Sequence, residues 1–338
     1  MKLSKTEIAA LSRARTIGGS PSVYLTAGEL AFLLCLVCED LDVPAPEALE
    51  CVNLAPWANH TFYDIPILEV KCDRFDANAI SEINLQGALS QLIEIDADIL
   101  TYFLALISLH AQRRKYRTIL DHQPIPELET IIPRGLLEMG GFPPDMLASW
   151  LVWRKFIYDI DNRAAQTTGY LFEPILALAI GGTSYSAQKS PVRRGGNQAG
   201  RQVDCVLNKD AYEFKMRVTI AASGQGRFAE ELSFAEDCHL SGYRPVLLVL
   251  DPTPSTKLEE LSNEYRKYNG EAYIGDDAWT HLRQKAGAVM SVFLEQYVRV
   301  PLSKIDDAYE VLSPLTLEHD SNTGAIHLTI GQERKNLR

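Results

Sequence analysis

Within a chain of 338 residues, the side chains best placed to do chemistry are Asp204, Glu213 and Lys215, in the stretch DCVLNKDAYEFKMRV at 204–218. Residues two apart in a strand point to one face. Glu213, Lys215 and Arg217 therefore share one face of YEFKMRV, while Tyr212, Phe214, Met216 and Val218 share the other. The opposing strand is VDCVL at 203–207. A two-residue turn at Asn208-Lys209 pairs Leu207 with Asp210 and, counting back, sets Asp204 directly opposite Glu213. Opposed side chains have β-carbons about 4.5–5.5 Å apart. Two carboxylates that close repel each other unless a positive charge lies between them. A hard divalent cation such as Mg²⁺ suits them, because it takes one or two carboxylates and completes its shell with water and phosphate oxygens. Lys215 then stands beside the ion, placed to position or activate an attacking water and to offset charge developing on a phosphate. That is the chemistry of phosphodiester hydrolysis. A bare Glu-x-Lys usually marks a solvated strand face, so its neighbours decide.

One neighbour is Glu173, set in the apolar helical segment GYLFEPILALAI between Phe172, Ile175 and Leu176. A carboxylate there is expensive to bury without a partner. Taken together, FEP on a helix, QVDCVL, YEFK and then FAEEL on a helix resemble the PD-(D/E)XK nuclease superfamily over roughly residues 160–252. Val203 stands where that motif often has proline. The resemblance implies an α/β fold (an α+β mixed sheet) with an αβββαβ core and a large, mainly helical N-terminal region. By carry-over, Asp204 and Glu213 are metal ligands, Lys215 is the catalytic lysine, and Glu173 is the helix acid. It further implies a Mg²⁺-dependent nuclease and, without a G-x-x-x-x-G-K-[ST] motif or a methyltransferase segment, a type II restriction endonuclease. Such an enzyme cuts double-stranded DNA at a specific sequence, leaves 5′-phosphate and 3′-hydroxyl ends, and acts as a homodimer on two-fold sites. A nuclease of DNA repair or junction processing shares the same core.

Two other stretches compete. Asp64 precedes Glu69 and Lys71 in YDIPILEVKCD, but four residues including Pro66 leave no room for a hairpin. A second rival, Gly224-x-Gly226-x-x-Ala229 followed by a strand ending at Asp251, approaches the fingerprint of an NAD-binding Rossmann oxidoreductase. Against it, Glu213, Lys215 and Arg217 are poor occupants of a buried parallel strand, and the Ala-Ala-Ser before Gly224 lengthens the junction.

Stepping outward, residues 1–150 read as mainly helical, with apolar residues at helical spacing in TAGELAFLLCLVCEDL, ISEINLQGALSQLIEI and DADILTYFLALISLHAQRRKYRTIL. This region is expected to recognise DNA, to build the dimer, or both. Residues 151–300 hold the nuclease core: a helix 161–182 closed by Gly181-Gly182, a basic glycine-rich loop, the hairpin, and then helices alternating with the strands RPVLLVL and EAYI. Residues 301–338 form a tail with a hairpin turning at Asn322 and Gly324. With 46% apolar residues and a net charge of −11, the chain is a soluble protein that does not coat nucleic acid or anionic membrane indiscriminately. Its cations are local. Lys189, Arg193, Arg194 and Arg201 precede the Asp204 strand without an intervening acid, and Arg113, Arg114 and Lys115 form a second cluster in HAQRRKYR. With Arg217 and Arg227 these are the candidate DNA contacts, to phosphates or to guanine edges. The six cysteines, with Cys35 and Cys38 inside an apolar helical run, suit reduced thiols in a cytoplasmic protein rather than a zinc site. No signal peptide and no membrane span are expected.

Overall fold

The protein is described by a computed structural model over residues 16–17, 23–50, 52, 62–63, 84–195, 198–216, 225–308 and 313–337. Asp64, Glu69 and Lys71 of the rival motif lie outside the described residues, as do Cys51, Cys72, Arg217 and Gly224. The side chain of Arg227 lies outside them too.

A short antiparallel pair, β1 (Thr16–Ile17) and β2 (Val23–Tyr24), leads into helix α1 (Ala27–Asp40). Thr26 starts that helix with a capping box: its hydroxyl accepts from the Glu29 amide at 3.2 Å, and Glu29 Oε2 accepts from the Thr26 amide at 2.8 Å. Helix α1 is apolar on all sides and is buried accordingly, Cys35 and Cys38 included. Burial, followed by the charge of Glu39, pushes the Cys38 thiol up to about 11, so it packs as a thiol. Helices α2 (Leu85–Ile95) and α3 (Asp98–Asp121) follow, then the short α4 (Leu128–Ile131) and a 3-10 segment, Ile132–Leu137.

Helix α5 (Pro144–Ala179) is far longer than the expected 161–182 and runs straight through residue 150. Pro144 occupies the first turn, where its missing N–H is no loss. The helix closes as expected. Gly181 takes φ +74° and donates to the Leu178 carbonyl at 3.0 Å, and the Gly182 amide donates to the Ala177 carbonyl at 2.8 Å.

Next come β3 (Thr183–Tyr185), β4 (Val203–Leu207), β5 (Asp210–Lys215), helix α6 (Gln225–Leu240), β6 (Arg244–Val249), α7 (Thr256–Lys267) and β7 (Glu271–Ile274). The five strands form one mixed sheet in the order β3-β4-β5-β6-β7. The first two pairings are antiparallel and the last two parallel. The αβββαβ core implied by the resemblance has a strand before the hairpin, but the sequence pattern did not locate β3. Helix α8 (Asp276–Leu294) bends at Gly287, which takes φ +71°, and passes through a π-helical turn, Glu295–Arg299, into α9 (Val300–Asp307). The tail is a separate three-stranded antiparallel sheet of β8 (Leu315–His319), β9 (Ile326–Ile330) and β10 (Glu333–Asn336), one strand more than the expected hairpin.

Both faces of the five-stranded sheet are covered, and the strand period sorts the residues between them. Tyr212, Phe214, Val246 and Leu248 join Ile175 and Leu176 of α5, Leu282 of α8, and the buried residues of α1 and α3 in one continuous apolar cluster. Ala211, Leu247 and Val249 face the other way, against Phe234 and Cys238 of α6 and Leu261 and Tyr265 of α7. Among the described residues, no helix is long and apolar enough to cross a membrane.

Candidate active site

The β4–β5 hairpin turns at Asn208, whose φ of +56° is a conformation asparagine tolerates. Leu207 pairs with Asp210, Val206 with Ala211 and Cys205 with Tyr212. Continuing that register by one residue sets Asp204 opposite Glu213. Glu213 and Lys215 alternate with Tyr212 and Phe214, so they follow Ala211 onto the sheet face covered by α6. Asp204 is 7% exposed, and its Oδ2 accepts from the Phe214 amide at 2.9 Å. The Lys215 ammonium lies 3.4 Å from Glu213 Oε1 and 3.2 Å from Glu231 Oε1 of α6. Glu173 approaches from α5. It lines a cleft of about 440 Å³ with Lys215, Phe214 and Asp161, while Asp204, Glu213 and Glu231 line an adjoining cleft of about 290 Å³ with Arg194 and Arg201.

The electrostatics follow from burying several acids together. Burial, then the charges of Glu213 and Glu173, hold the Asp204 carboxyl well above the carboxylate range, against the Phe214 amide and Lys215. Glu173 is pushed up to about 7, first by burial and then by Glu213, with Lys215 opposing. For Lys215, burial favours the neutral amine, but Glu213 and Glu231 outweigh it and raise its pKa, so the ammonium is retained. The four residues singled out from sequence are thus brought together.

The donors also decide whether a metal ion suits the site. Asp204 is buried and Glu213 half-buried opposite it, and their charges repel, a condition that a cation relieves. Among the described residues, no three His, Cys, Asp or Glu side chains form a cage for an ion. Two carboxylates therefore fit a hard divalent ion that keeps much of its water, and not a closed zinc centre.

The basic candidates divide. Lys189 and Arg193 are exposed. Arg194 is half-exposed and bonds to Glu230 Oε1 at 3.0 Å. Arg201 is 7% exposed and is held against α6 through Asp237 Oδ2 at 2.5 Å, the Ser233 hydroxyl at 2.9 Å and the Glu230 carbonyl. It anchors the glycine-rich loop, as does the Gly195 amide donating to Asp237 Oδ1 at 2.8 Å. In the other cluster, Arg114 bonds to the buried Glu29 at 2.6 Å, and Arg113 stacks over Phe62 and Tyr63, 4.6 and 4.9 Å from the ring centroids. These two arginines are packed into the helical region; Lys115 is half-exposed beside them. Sequence reasoning passed over Glu231 and Asp237. Their signal was the acidic, helically spaced EELSFAED, with Phe234 and Cys238 marking its buried face.

The dinucleotide alternative finds its parallel strand–helix–strand unit in β5, α6 and β6, but β5 presents Glu213 and Lys215, not apolar side chains, to α6. Gly226 lies in the first turn of α6, and Asp251 forms a turn, accepting from the Thr253 amide at 2.8 Å.

A family model described as ApaLI-like restriction endonuclease matches residues 68–299, a span holding all four acidic and basic site residues. The type II restriction enzyme ApaLI of Acetobacter pasteurianus is 56% identical over 240 residues, covering 69% of this chain and 64% of that enzyme. The match therefore spans a little under two thirds of the relative's length. No solved structure matches. The chain belongs to the ApaLI-like restriction endonuclease family.

Proposed function

We propose that the protein is a Mg²⁺-dependent type II restriction endonuclease with a PD-(D/E)XK core, cutting double-stranded DNA at a specific sequence to leave 5′-phosphate and 3′-hydroxyl ends. The observation that carries this reading is the register of the β4–β5 hairpin, which opposes Asp204 and Glu213 and sets Lys215 on the same face. The strand order and directions, with α5 before the hairpin and α6 after β5, accord with the αβββαβ arrangement. Asp204 and Glu213 would hold the cation. When bound, it polarises the phosphoryl oxygen and makes water a better nucleophile near neutral pH. Lys215 offsets the negative charge that grows on the phosphate in the transition state. Glu173, whose proton is bound up to about pH 7, lies where it can accept from or donate to a water in the larger cleft.

Lys189 and Arg193, exposed at the rim of the loop, supply phosphate contacts without selectivity. Base recognition falls to the mainly helical region. A second copy of the chain completes the reading, because one site cuts one strand. Its seat is the apolar surface of Ile132, Leu136, Leu137, Met139, Met146 and Trp150, which are 45% to 95% exposed.

The test is cleavage. Plasmid incubated with the protein and Mg²⁺ should yield discrete fragments whose sequenced ends share one site. Glu213→Ala and Lys215→Ala should abolish cutting with the melting temperature preserved; full activity in either refutes the assignment.

A further inference from the structure

Lysine carries three N–H donors on a flexible stem of four carbons. Held by Glu213 alone, the Lys215 ammonium would settle on the acid assigned above to the cation. A second acid prevents this. Glu231 reaches in from α6 and places Oε1 3.2 Å from Nζ, slightly nearer than the 3.4 Å to Glu213. Lys215 is therefore suspended between the strand and the helix.

The other oxygen of Glu231 is the more informative. Oε2 is buried and has no hydrogen-bond partner in the protein, although the side chain lines the same cleft as Asp204 and Glu213. A buried carboxylate oxygen left without a donor is unfavourable. The remaining acids on that face of α6 have structural partners: Glu230 meets Arg194, and Asp237 meets Arg201 and the Gly195 amide. Glu231 takes no part in anchoring the loop. Among the described residues it also forms no three-acid cluster able to hold an ion.

We infer that Glu231 is a positioning residue for the hydrolysis: one oxygen fixes the Lys215 ammonium, and the other accepts a hydrogen bond from water entering the cleft with the substrate. This rests on the nuclease reading and adds to it a residue from a different element. No proton is transferred to Glu231; its role is to hold.

The experiment compares Glu231→Gln, Glu231→Ala, Lys215→Ala and the double variant E231A/K215A under single-turnover conditions, on DNA that the wild type cuts. Removing a partner that orients a reactive group typically costs about 10–100-fold in activity, and Glu231→Ala should lose that much in kcat. Glu231→Gln keeps an oxygen toward Nζ and should lose less. KM, DNA affinity measured with saturating Ca²⁺ in place of Mg²⁺, and melting temperature should stay at wild-type values, while the Mg²⁺ concentration for half-maximal rate should rise in Glu231→Ala, because Lys215 then competes with the ion for Glu213. The double variant should be no slower than Lys215→Ala alone. Where Lys215→Ala leaves too little rate to compare, the ranking of Gln above Ala at unchanged DNA affinity decides. The inference is overturned if Glu231→Ala cuts at the wild-type rate, if its loss lies in KM or follows a fall in melting temperature, or if the two single losses multiply. If Lys215→Ala and Glu213→Ala themselves cut normally, the nuclease reading falls first, and the two failures are thereby told apart.

Discussion

Glu173→Gln should leave the fold more stable at pH 8 and only slightly more stable at pH 5. The Glu173 carboxyl is raised from 4.5 to about 7, by burial first and by Glu213 second. A raised acid binds its proton more tightly in the folded state than in the unfolded one. Its contribution to stability is thus fully present below about pH 4.5 and is lost as pH rises through about 7. At about 1.4 kcal/mol per pH unit, that interval corresponds to an upper bound of about 3 kcal/mol at pH 8. Glu173 is only partly buried, and solvent screening reduces the figure to roughly 1–2 kcal/mol. Glutamine keeps the shape and removes the charge, so the variant recovers this amount at pH 8 and only about a quarter of it at pH 5. With an unfolding entropy of about 2 cal/mol/K per residue, 338 residues turn it into a rise on the order of 1–3 °C. Differential scanning calorimetry of both proteins in EDTA at pH 5 and pH 8 measures it. Millimolar Mg²⁺ at pH 8 should then narrow the gap, because a cation between Asp204 and Glu213 reduces the field at Glu173. A difference in melting temperature that is the same at both pH values, or that favours the wild type at pH 8, refutes the reasoning.

Other perturbations separate the roles of the basic residues and the apolar surface. Arg201→Ala leaves Asp237 buried without its cation, which should destabilise the fold by about 3–5 kcal/mol and release the glycine-rich loop, read as a lowered urea midpoint together with slower cutting. Lys189→Ala and Arg193→Ala should leave stability unchanged while each reduces the slope of log affinity against log salt for DNA by about 1; an unaltered slope removes them from the interface. Leu137→Asp, at a side chain 95% exposed, should give a folded monomer in sedimentation velocity with depressed cleavage, whereas an unchanged sedimentation coefficient moves the interface elsewhere.

What was legible in the sequence is what local rules determine. A two-residue turn and a period of two fix a hairpin completely, so the alignment of Asp204 with Glu213 follows from counting once Leu207 is paired with Asp210. Helix ends were equally local: Thr26 and Gly181 place their termini by capping chemistry. The first half of α5 escaped because Met146, Trp150 and Ile157 lie on its exposed side, and apolar residues on two sides blur the period of 3.6. Strand β3 escaped because Thr-Ser-Tyr has no pattern of its own and exists by pairing with β4. The arginines show the deeper limit. Arg201 finds Asp237 36 positions away, and Arg114 finds Glu29 85 positions away. Charge in a sequence reveals that a cation exists; only the fold reveals whether an acid has already claimed it.

That limit bears on how an acidic protein can engage a polyanion. At physiological ionic strength, charges farther apart than about 8 Å are largely screened from one another. A phosphate approaching the glycine-rich loop therefore responds to the exposed Lys189 and Arg193 more than to the net charge of −11. Arg113, Arg114, Arg194 and Arg201 are engaged internally and offer a phosphate little. Non-specific affinity for DNA scales with the number of phosphates neutralised, so this distribution keeps it low. On the proposed reading, discrimination between sites then depends on contacts to bases and on assembly of Asp204 and Glu213 around an ion. In that reading the reaction is a double-strand break, and weak binding everywhere except in the productive register is itself part of the specificity.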